Sequence, residues 1–277
     1  MSAITGATRL AAVIGSPVRH SLSPALHNAA FAASGADWRC VAFEVPVGEA
    51  RAALAAMRSL GIGGFAVTMP HKADMADAVD EVDAAAADLR SVNTVVLRPD
   101  GSTFGASTDG AGLVASVREA GVDLGDIRAV VLGAGAAARS IVRALDRAGA
   151  RSVAVVNRTR SAAELLVPLG GSIVVADAGA VADATLLVNA TSVGMGGDEL
   201  PLDPSLLRAD LTVVDIVYHP LETALVRAAR SVGAPVVDGL GMLVHQAVLQ
   251  QELWTGRRPD PVVMRAAAEA ELGARSV

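Results

Sequence analysis

Arg128-Ala129-Val130-Val131-Leu132, then Gly133-Ala134-Gly135-Ala136-Ala137-Ala138-Arg139, is the stretch that decides the fold. The first five residues predict a buried strand. The Ala-rich run to about Ala148, with Gly149 as its stop, predicts a helix, and Ser152 to Val156 predicts the next strand. Strand, G-x-G-x-x-A, helix, strand is the fingerprint of a Rossmann-type dinucleotide site. Gly133 permits the tight turn, Gly135 lets a pyrophosphate approach the backbone, and Ala138 keeps the helix close to the sheet. Gly133, Ala134, Gly135, Ala136 and Ala137 are therefore candidate cofactor-binding residues. The second strand does not end in Asp or Glu, which would bind the ribose 2′-OH of NAD. It ends in Asn157-Arg158-Thr159-Arg160. Arginines there suit a 2′-phosphate, so the expected cofactor is NADP.

Outward from this unit, the 277 residues suit two domains or one large α/β domain. Residues are 52% hydrophobic but only 3% aromatic, so the core is aliphatic. No apolar run is long enough to span a bilayer, and the first ten residues show no signal peptide. A single cysteine, Cys40, excludes an intrachain disulfide and suits a reducing cytoplasm. A net charge of −6 with no basic block argues against nucleic-acid binding. The five histidines lack metal-ligand spacing, so no metal is expected.

A second stretch, Gly64-Phe65-Ala66-Val67-Thr68-Met69-Pro70-His71-Lys72, ends on the only lysine among 23 basic residues. Arginine stays protonated at any working pH, whereas lysine can release its proton. Lys72 is thus a candidate proton donor and acceptor. Gly63 to Val67 reads as a strand, with Thr68 at its C-terminal end, where ligands sit in open α/β sheets. Leu10 to Ile14 reads as a strand leading to Ser21, Ser23 and Pro24. Ser23 is expected to cap a helix to about Ser34, and two serines there make a cradle for a carboxylate. Trp38 to Val45 reads as a strand, and Val47 to Leu60 and Val79 to Leu89 as helices. Ser91 to Phe104 reads as a hairpin. Thr108 or Asp109 is expected to cap a helix to about Ala120, and Asp109 reads either as that cap or as a carboxylate beside Lys72. Thr185 to Val188 and Thr212 to Val217 are further strands. Leu221 to Ala229, Met242 to Trp254 and Pro261 to Leu272 are helices.

These motifs occur in one order: Gly15-Ser16-Pro17, Ser21-Leu22-Ser23-Pro24, Val67-Thr68-Met69-Pro70-His71-Lys72, Val92-Asn93-Thr94, Thr108-Asp109-Gly110, Gly133-Ala134-Gly135, Asn157-Arg158-Thr159, Asn189-Ala190-Thr191-Ser192, Asp215-Ile216-Val217-Tyr218 and Gly239 to Gln246. Together they resemble the shikimate/quinate dehydrogenase family over nearly the whole chain. The resemblance implies an oxidoreductase of the shikimate pathway of aromatic amino acid biosynthesis. It would reduce 3-dehydroshikimate to shikimate, reversibly, with NADPH. Lys72 and Asp109 would be the catalytic pair. Ser21 and Ser23 would hold the substrate carboxylate with Tyr218 nearby, and Thr68, Asn93 and Gln246 would bond the ring hydroxyls. Thr191, Ser192 and Gly239 would join Asn157, Arg158 and Thr159 around the cofactor. The implied architecture is two α/β domains. Residues 1–112 would form a substrate domain on an open mixed or parallel sheet, 113–239 a Rossmann-type NADP domain, and 240–277 helices returning to the first. A cytoplasmic monomer or homodimer is expected. The chain departs from the family's common pattern at Ala66, Ser107, Ala136 and Ala162. Quinate or an amino analogue of shikimate is the alternative substrate. A non-catalytic nucleotide-binding regulator is the alternative of another class, disfavoured by the presence of both Lys72 and Asp109.

Overall fold

The computed structural model describes residues 3–275, which divide into two compact units: residues 3–108 with 246–275, and residues 109–245. Among them, no helix is long and apolar enough to cross a membrane.

The first unit is built on a six-stranded mixed sheet. Its strands are β1 (Arg9–Gly15), β2 (Trp38–Glu44), β3 (Gly64–Val67), β4 (Glu81–Val82), β5 (Thr94–Leu97) and β6 (Thr103–Ala106), in spatial order β2-β1-β3-β5-β6-β4. The chain leaves β1 to β2 on one side and returns to β3 on the other, so the order switches at β1/β3. Strand β5 runs antiparallel to both β3 and β6. One face buries Phe65, Ile14 and Val67 against Leu54 and Met57 of α2 (Ala50–Ser59). The other buries Ala11, Val13 and Ala66 against Phe31 of α1 (Ser23–Ala33), Trp38 and Trp254. Full burial of Phe31 and Phe65 contributes about 1.5–3 kcal/mol each.

Local chemistry moves several element ends away from the sequence expectation. Ser23 is not the cap of α1. Leu22 already has helical φ and ψ, and Ser21 Oγ accepts the Ser23 N–H at 3.2 Å from outside the helix. The helix expected over Val79 to Leu89 is divided. Glu81–Val82 pairs with β6, and the Asp83 carboxylate accepts the Ala86 N–H at 2.6 Å, so α4 spans only Ala84–Leu89. The short α3 (Lys72–Ala76) starts at Lys72 itself.

The second unit carries an all-parallel sheet in the order β12-β11-β10-β7-β8-β9. Its strands are β7 (Arg128–Leu132), β8 (Ser152–Val156), β9 (Ile173–Val175), β10 (Leu186–Asn189), β11 (Thr212–Asp215) and β12 (Val236–Val237). The chain passes from β7 outward through β8 and β9, then returns to β10 beside β7. That places the switch point at β7/β10. Helices α5 (Asp109–Glu119), α6 (Ala136–Arg147), α7 (Arg160–Glu164) and α8 (Ala224–Ser231) lie wholly within this unit. Thr223 Oγ1 accepts the Val226 N–H at 3.2 Å, so α8 begins at Ala224, later than the start expected at Leu221. Helix α9 (Gly239–Thr255) begins in this unit and ends in the first, which also holds α10 (Pro261–Arg275).

Candidate active site

In the first unit the switch point sets one group of side chains. Ile14 of β1 is in register with Val67 of β3, so the segments after both strands start side by side. After β1, Ser21 Oγ donates to Ser23 Oγ at 3.2 Å. No acidic residue occupies the first turn of α1. After β3, the Thr68 N–H bonds Ile14 O at 2.9 Å, and the His71 N–H bonds Thr68 O at 3.1 Å. The fully buried His71 ring donates from Nε2 to Val45 O at 2.8 Å, anchoring the turn that delivers Lys72. Backbone bonds then tie this segment to the residues before β5: Val92 N–H to Lys72 O at 2.9 Å and Val67 N–H to Asn93 O at 2.8 Å.

Asn93 is buried, and its amide is heavily engaged. Oδ1 accepts from the Thr108 N–H at 2.8 Å and the Thr94 hydroxyl at 2.9 Å, and Nδ2 donates to Thr108 Oγ1 at 2.9 Å. Thr108 in turn donates to Gln246 O at 3.2 Å. The structure therefore brings Thr68, Lys72, Asn93 and Gln246 to one end of the first sheet. Behind them lies a relay the sequence did not disclose. His27, fully buried, sits between Gln251 at 3.1 Å and Gln250 at 3.3 Å, and Gln250 Nε2 donates to Asn93 O at 3.2 Å. Burial pushes the His27 ring down to about 4, so it is neutral at physiological pH. A neutral ring has one N–H, so one of the two glutamines must turn its NH₂ to the other nitrogen. The signal available in the sequence was the pair Gln250-Gln251 on a largely apolar helix. Ala66, one of the departures from the family pattern, faces the apolar cluster with Trp38 and Trp254.

In the second unit the switch point is built from backbone. Leu132 is in register with Asn189, so the turns after β7 and β10 adjoin. Gly133 has φ +107°, and a Cβ there would lie 3.0 Å from Ala190 O. A Cβ on Gly135 would meet nothing within 4 Å, which leaves open space before the first turn of α6. That turn has no side-chain cap and no acidic residue. An exposed Arg158 follows β8, while Arg160 pairs with Glu164 at 3.3 Å. These residues fit a dinucleotide phosphate at Gly133 to Ala137 and a basic contact at Arg158. Ala136 opens α6 without positive φ, so a third glycine is not required there.

The turn after β10 is held by its own side chains. Asn189 Oδ1 accepts the Thr191 N–H at 3.1 Å and hydroxyl at 2.7 Å, and Thr191 Oγ1 accepts the Val193 N–H at 3.1 Å. Ser192 is exposed beside them. Asn189 Nδ2 donates to Asp215 Oδ1 at 3.0 Å. Burial raises the Asp215 carboxyl, against the opposing hydrogen bonds from Thr223, Val217 and Asn189. Asp109 and Tyr218 also belong to this unit, whereas Lys72 belongs to the other. Gly110, next to Asp109, lets α5 lie against the backbone of α6, since a Cβ there would clash with Ser140 O.

A parallel unit with the dinucleotide turn, joined to an α/β unit with a lysine and buried amides beyond its strand ends, defines a nicotinamide-dependent oxidoreductase. Family models locate it further. The shikimate dehydrogenase substrate-binding domain matches residues 13–95, shikimate/quinate 5-dehydrogenase matches 115–188, and the shikimate 5′-dehydrogenase C-terminal domain matches 239–269. The NADP(+) shikimate dehydrogenase of Rubrobacter xylanophilus is 45% identical over 97% of this chain and 98% of its own. The shikimate 5-dehydrogenase of Thermus thermophilus, in complex with NADP(H) and shikimate, superposes with a TM-score of 0.90. It is 36% identical, covering 95% of this chain and 99% of that one. A quinate dehydrogenase from Corynebacterium glutamicum in complex with NAD reaches 0.87 at 31% identity, covering 95% and 99%. The chain belongs to the shikimate dehydrogenase family.

Proposed function

We propose that this chain catalyses the reversible, NADPH-dependent reduction of 3-dehydroshikimate to shikimate, with Lys72 and Asp109 as its catalytic pair. The observation that carries the reading is the anchoring of Lys72. The chain's single lysine follows a turn anchored by the buried His71 ring, at the strand end where Thr68, Asn93 and Gln246 gather.

NADPH, when bound, supplies the hydride that turns the ketone into an alcohol. Lys72 Nζ gives a proton to the carbonyl oxygen as negative charge grows on it, and takes that proton back from the hydroxyl in the reverse direction. Such general acid–base catalysis is worth about 10²–10⁴ in rate. The Asp109 carboxylate orients the ammonium and accepts a hydrogen bond from a substrate hydroxyl. Ser21 and Ser23 donate to the substrate carboxylate, with Tyr218 nearby. Thr68, Asn93 and Gln246 bond the ring hydroxyls and leave a polar group unpaired when a hydroxyl is missing. Residues 1–112 serve as the substrate domain with the helices of 240–277, and 113–239 as the NADP domain. Gly133 to Ala137, Asn157, Arg158, Thr159, Thr191, Ser192 and Gly239 hold the cofactor. A reducing, cytoplasmic setting agrees with one cysteine, whose thiol burial pushes up to about 12.

The test pairs shikimate or quinate with NADP or NAD and follows the absorbance of the reduced nicotinamide. The expected result is a kcat/KM for shikimate with NADP about 10-fold or more above the other three pairs. A preference for quinate, or turnover of neither acid, overturns the assignment.

A further inference from the structure

Asp215 is a fully buried carboxylate that no step above uses. Three donors from three places in the second unit converge on it. The Asn189 amide, at the end of β10, lies 3.0 Å away; the Val217 N–H, just after β11, 3.1 Å; and the Thr223 hydroxyl, at the cap of α8, 2.6 Å. Each donor controls something beyond itself. Asn189 shapes the Thr191–Val193 turn, both through its Oδ1 and by donating to Val193 O at 3.2 Å. Val217 is the residue before Tyr218. Thr223 caps α8 and closes the segment from Ile216 onward. Backbone approaches draw the same loops together. A Cβ on Gly239 would clash with Val217 O, and Gly194, at φ +95°, faces Thr223.

We propose that Asp215 is a positioning residue, which sets the Thr191–Val193 turn and the Val217–Tyr218 segment in one register so that cofactor and substrate are aligned for turnover. The proposal rests on the function given above. A carboxylate in this place is a poor choice for stability alone, because burying a charge is unfavourable unless every neighbour compensates. Three donors from separate loops provide that compensation only in one arrangement of the loops. A hydrophobic residue at 215 would fill the volume and remove the acceptor that all three share.

The test is Asp215→Asn in the full chain, with Thr223→Val and the conservative Thr223→Ser beside it. Asn keeps the shape but replaces one acceptor by an NH₂ that must face a donor. For Asp215→Asn, kcat is expected to fall about 10–100-fold, as misalignment away from the reacting atoms does. The NADP-to-NAD preference stays unchanged, because Arg158 follows β8 and lies outside the network. Thr223→Val lowers kcat in the same direction, and Thr223→Ser restores it to within about two-fold. The fluorescence of bound NADPH, in intensity and polarisation, changes in Asp215→Asn and Thr223→Val and is parent-like in Thr223→Ser. Parent-like kcat, KM and fluorescence in Asp215→Asn, with only a lower Tm, overturn the proposal. If Asp215→Asn does not fold, equal kcat in Thr223→Val and Thr223→Ser overturns it. If the unaltered chain turns over neither shikimate nor quinate, the functional reading fails instead, and the NADPH fluorescence still decides the role of Asp215.

Discussion

The two sheets solve the same problem with different materials. Both reverse strand order between adjacent parallel strands, β1/β3 in one unit and β7/β10 in the other, and the candidate site residues gather around that point in each. At β1/β3 the candidates are side chains. Ser21, Ser23, Thr68, Lys72 and Asn93 each offer a specific group; the buried His71 ring anchors the turn before Lys72, and the Gln250 amide bonds Asn93 O. At β7/β10 they are largely backbone: a glycine at positive φ, an uncapped helix start, and a turn tied back to its own strand. A dinucleotide phosphate needs only N–H groups and room, so a glycine pattern suffices. A small polyhydroxylated acid must be distinguished by its individual hydroxyls, so it needs individual side chains.

That contrast breaks most readily at Lys72. If the first unit acts through side-chain chemistry, Lys72→Ala lowers kcat by about 10²–10⁴-fold. NADP affinity changes little, because the backbone-built site in the other unit is untouched. Steady-state kinetics with an NADPH binding titration checks both halves. A variant with near-parental kcat removes Lys72 from the chemistry, and a matching loss of NADP affinity would mean that the two sites are not separable in this way.

The same difference explains what can be read in advance. Strands β7 and β8 and helix α6 are nearly as expected from the sequence, because local pattern, glycines and burial all point the same way there. The turn of Asn157 to Thr159 and the strand before Lys72 are legible for the same reason. The two-residue β4 and three-residue β9 are not, since strands that short carry no period. The five-residue α7 escapes likewise. Ser23 is misplaced because Ser-Pro fits a cap in isolation, and only the φ and ψ of Leu22 exclude it. At the site, the residues that touch substrate in the proposal lie in compact motifs, but those that hold them do not. His27 meets Gln251 across 224 residues of chain and Gln250 across 223, a pairing no window on the sequence could contain. Asp215 is visible only as part of a motif, without its three donors.

The His27 relay offers a second way to sharpen the comparison, because it makes the first unit sensitive to acid. The ring titrates at 6.5 when unfolded and at about 4 when folded. Its folded value is the lower one, so the unfolded chain binds the proton first as pH falls. The stability from a neutral His27 is complete above pH 6.5 and is lost progressively down to about pH 4. The full loss is about 3 kcal/mol. Thermal melts between about pH 7 and 4.5 should show a steep fall in Tm for the parent and a shallower one for His27→Asn. Where calorimetry resolves two transitions, the steep one belongs to the first unit. An unchanged slope in the variant would assign the acid sensitivity to other groups.

The smallest effect tests a place where, in the proposal, the cofactor side also relies on a side chain. A 2′-phosphate cannot be told from a hydroxyl by backbone alone, and the sequence after β8 supplies arginines instead of a carboxylate. The two arginines are not equivalent. Arg160 is engaged with Glu164 across one turn of α7, in an exposed pair of little energetic weight. Arg158 precedes the helix and is exposed. Arg158→Ala should therefore weaken NADPH by about 10-fold while NADH changes by less than about two-fold, the difference being a charge-assisted contact to the phosphate alone. Binding titrations with both nucleotides read this directly. Equal loss for both would place the 2′-phosphate elsewhere. A loss for NADPH that appears only when Arg160 is also replaced would show that Arg160 leaves Glu164 to take over. In that case the selectivity belongs to the pair.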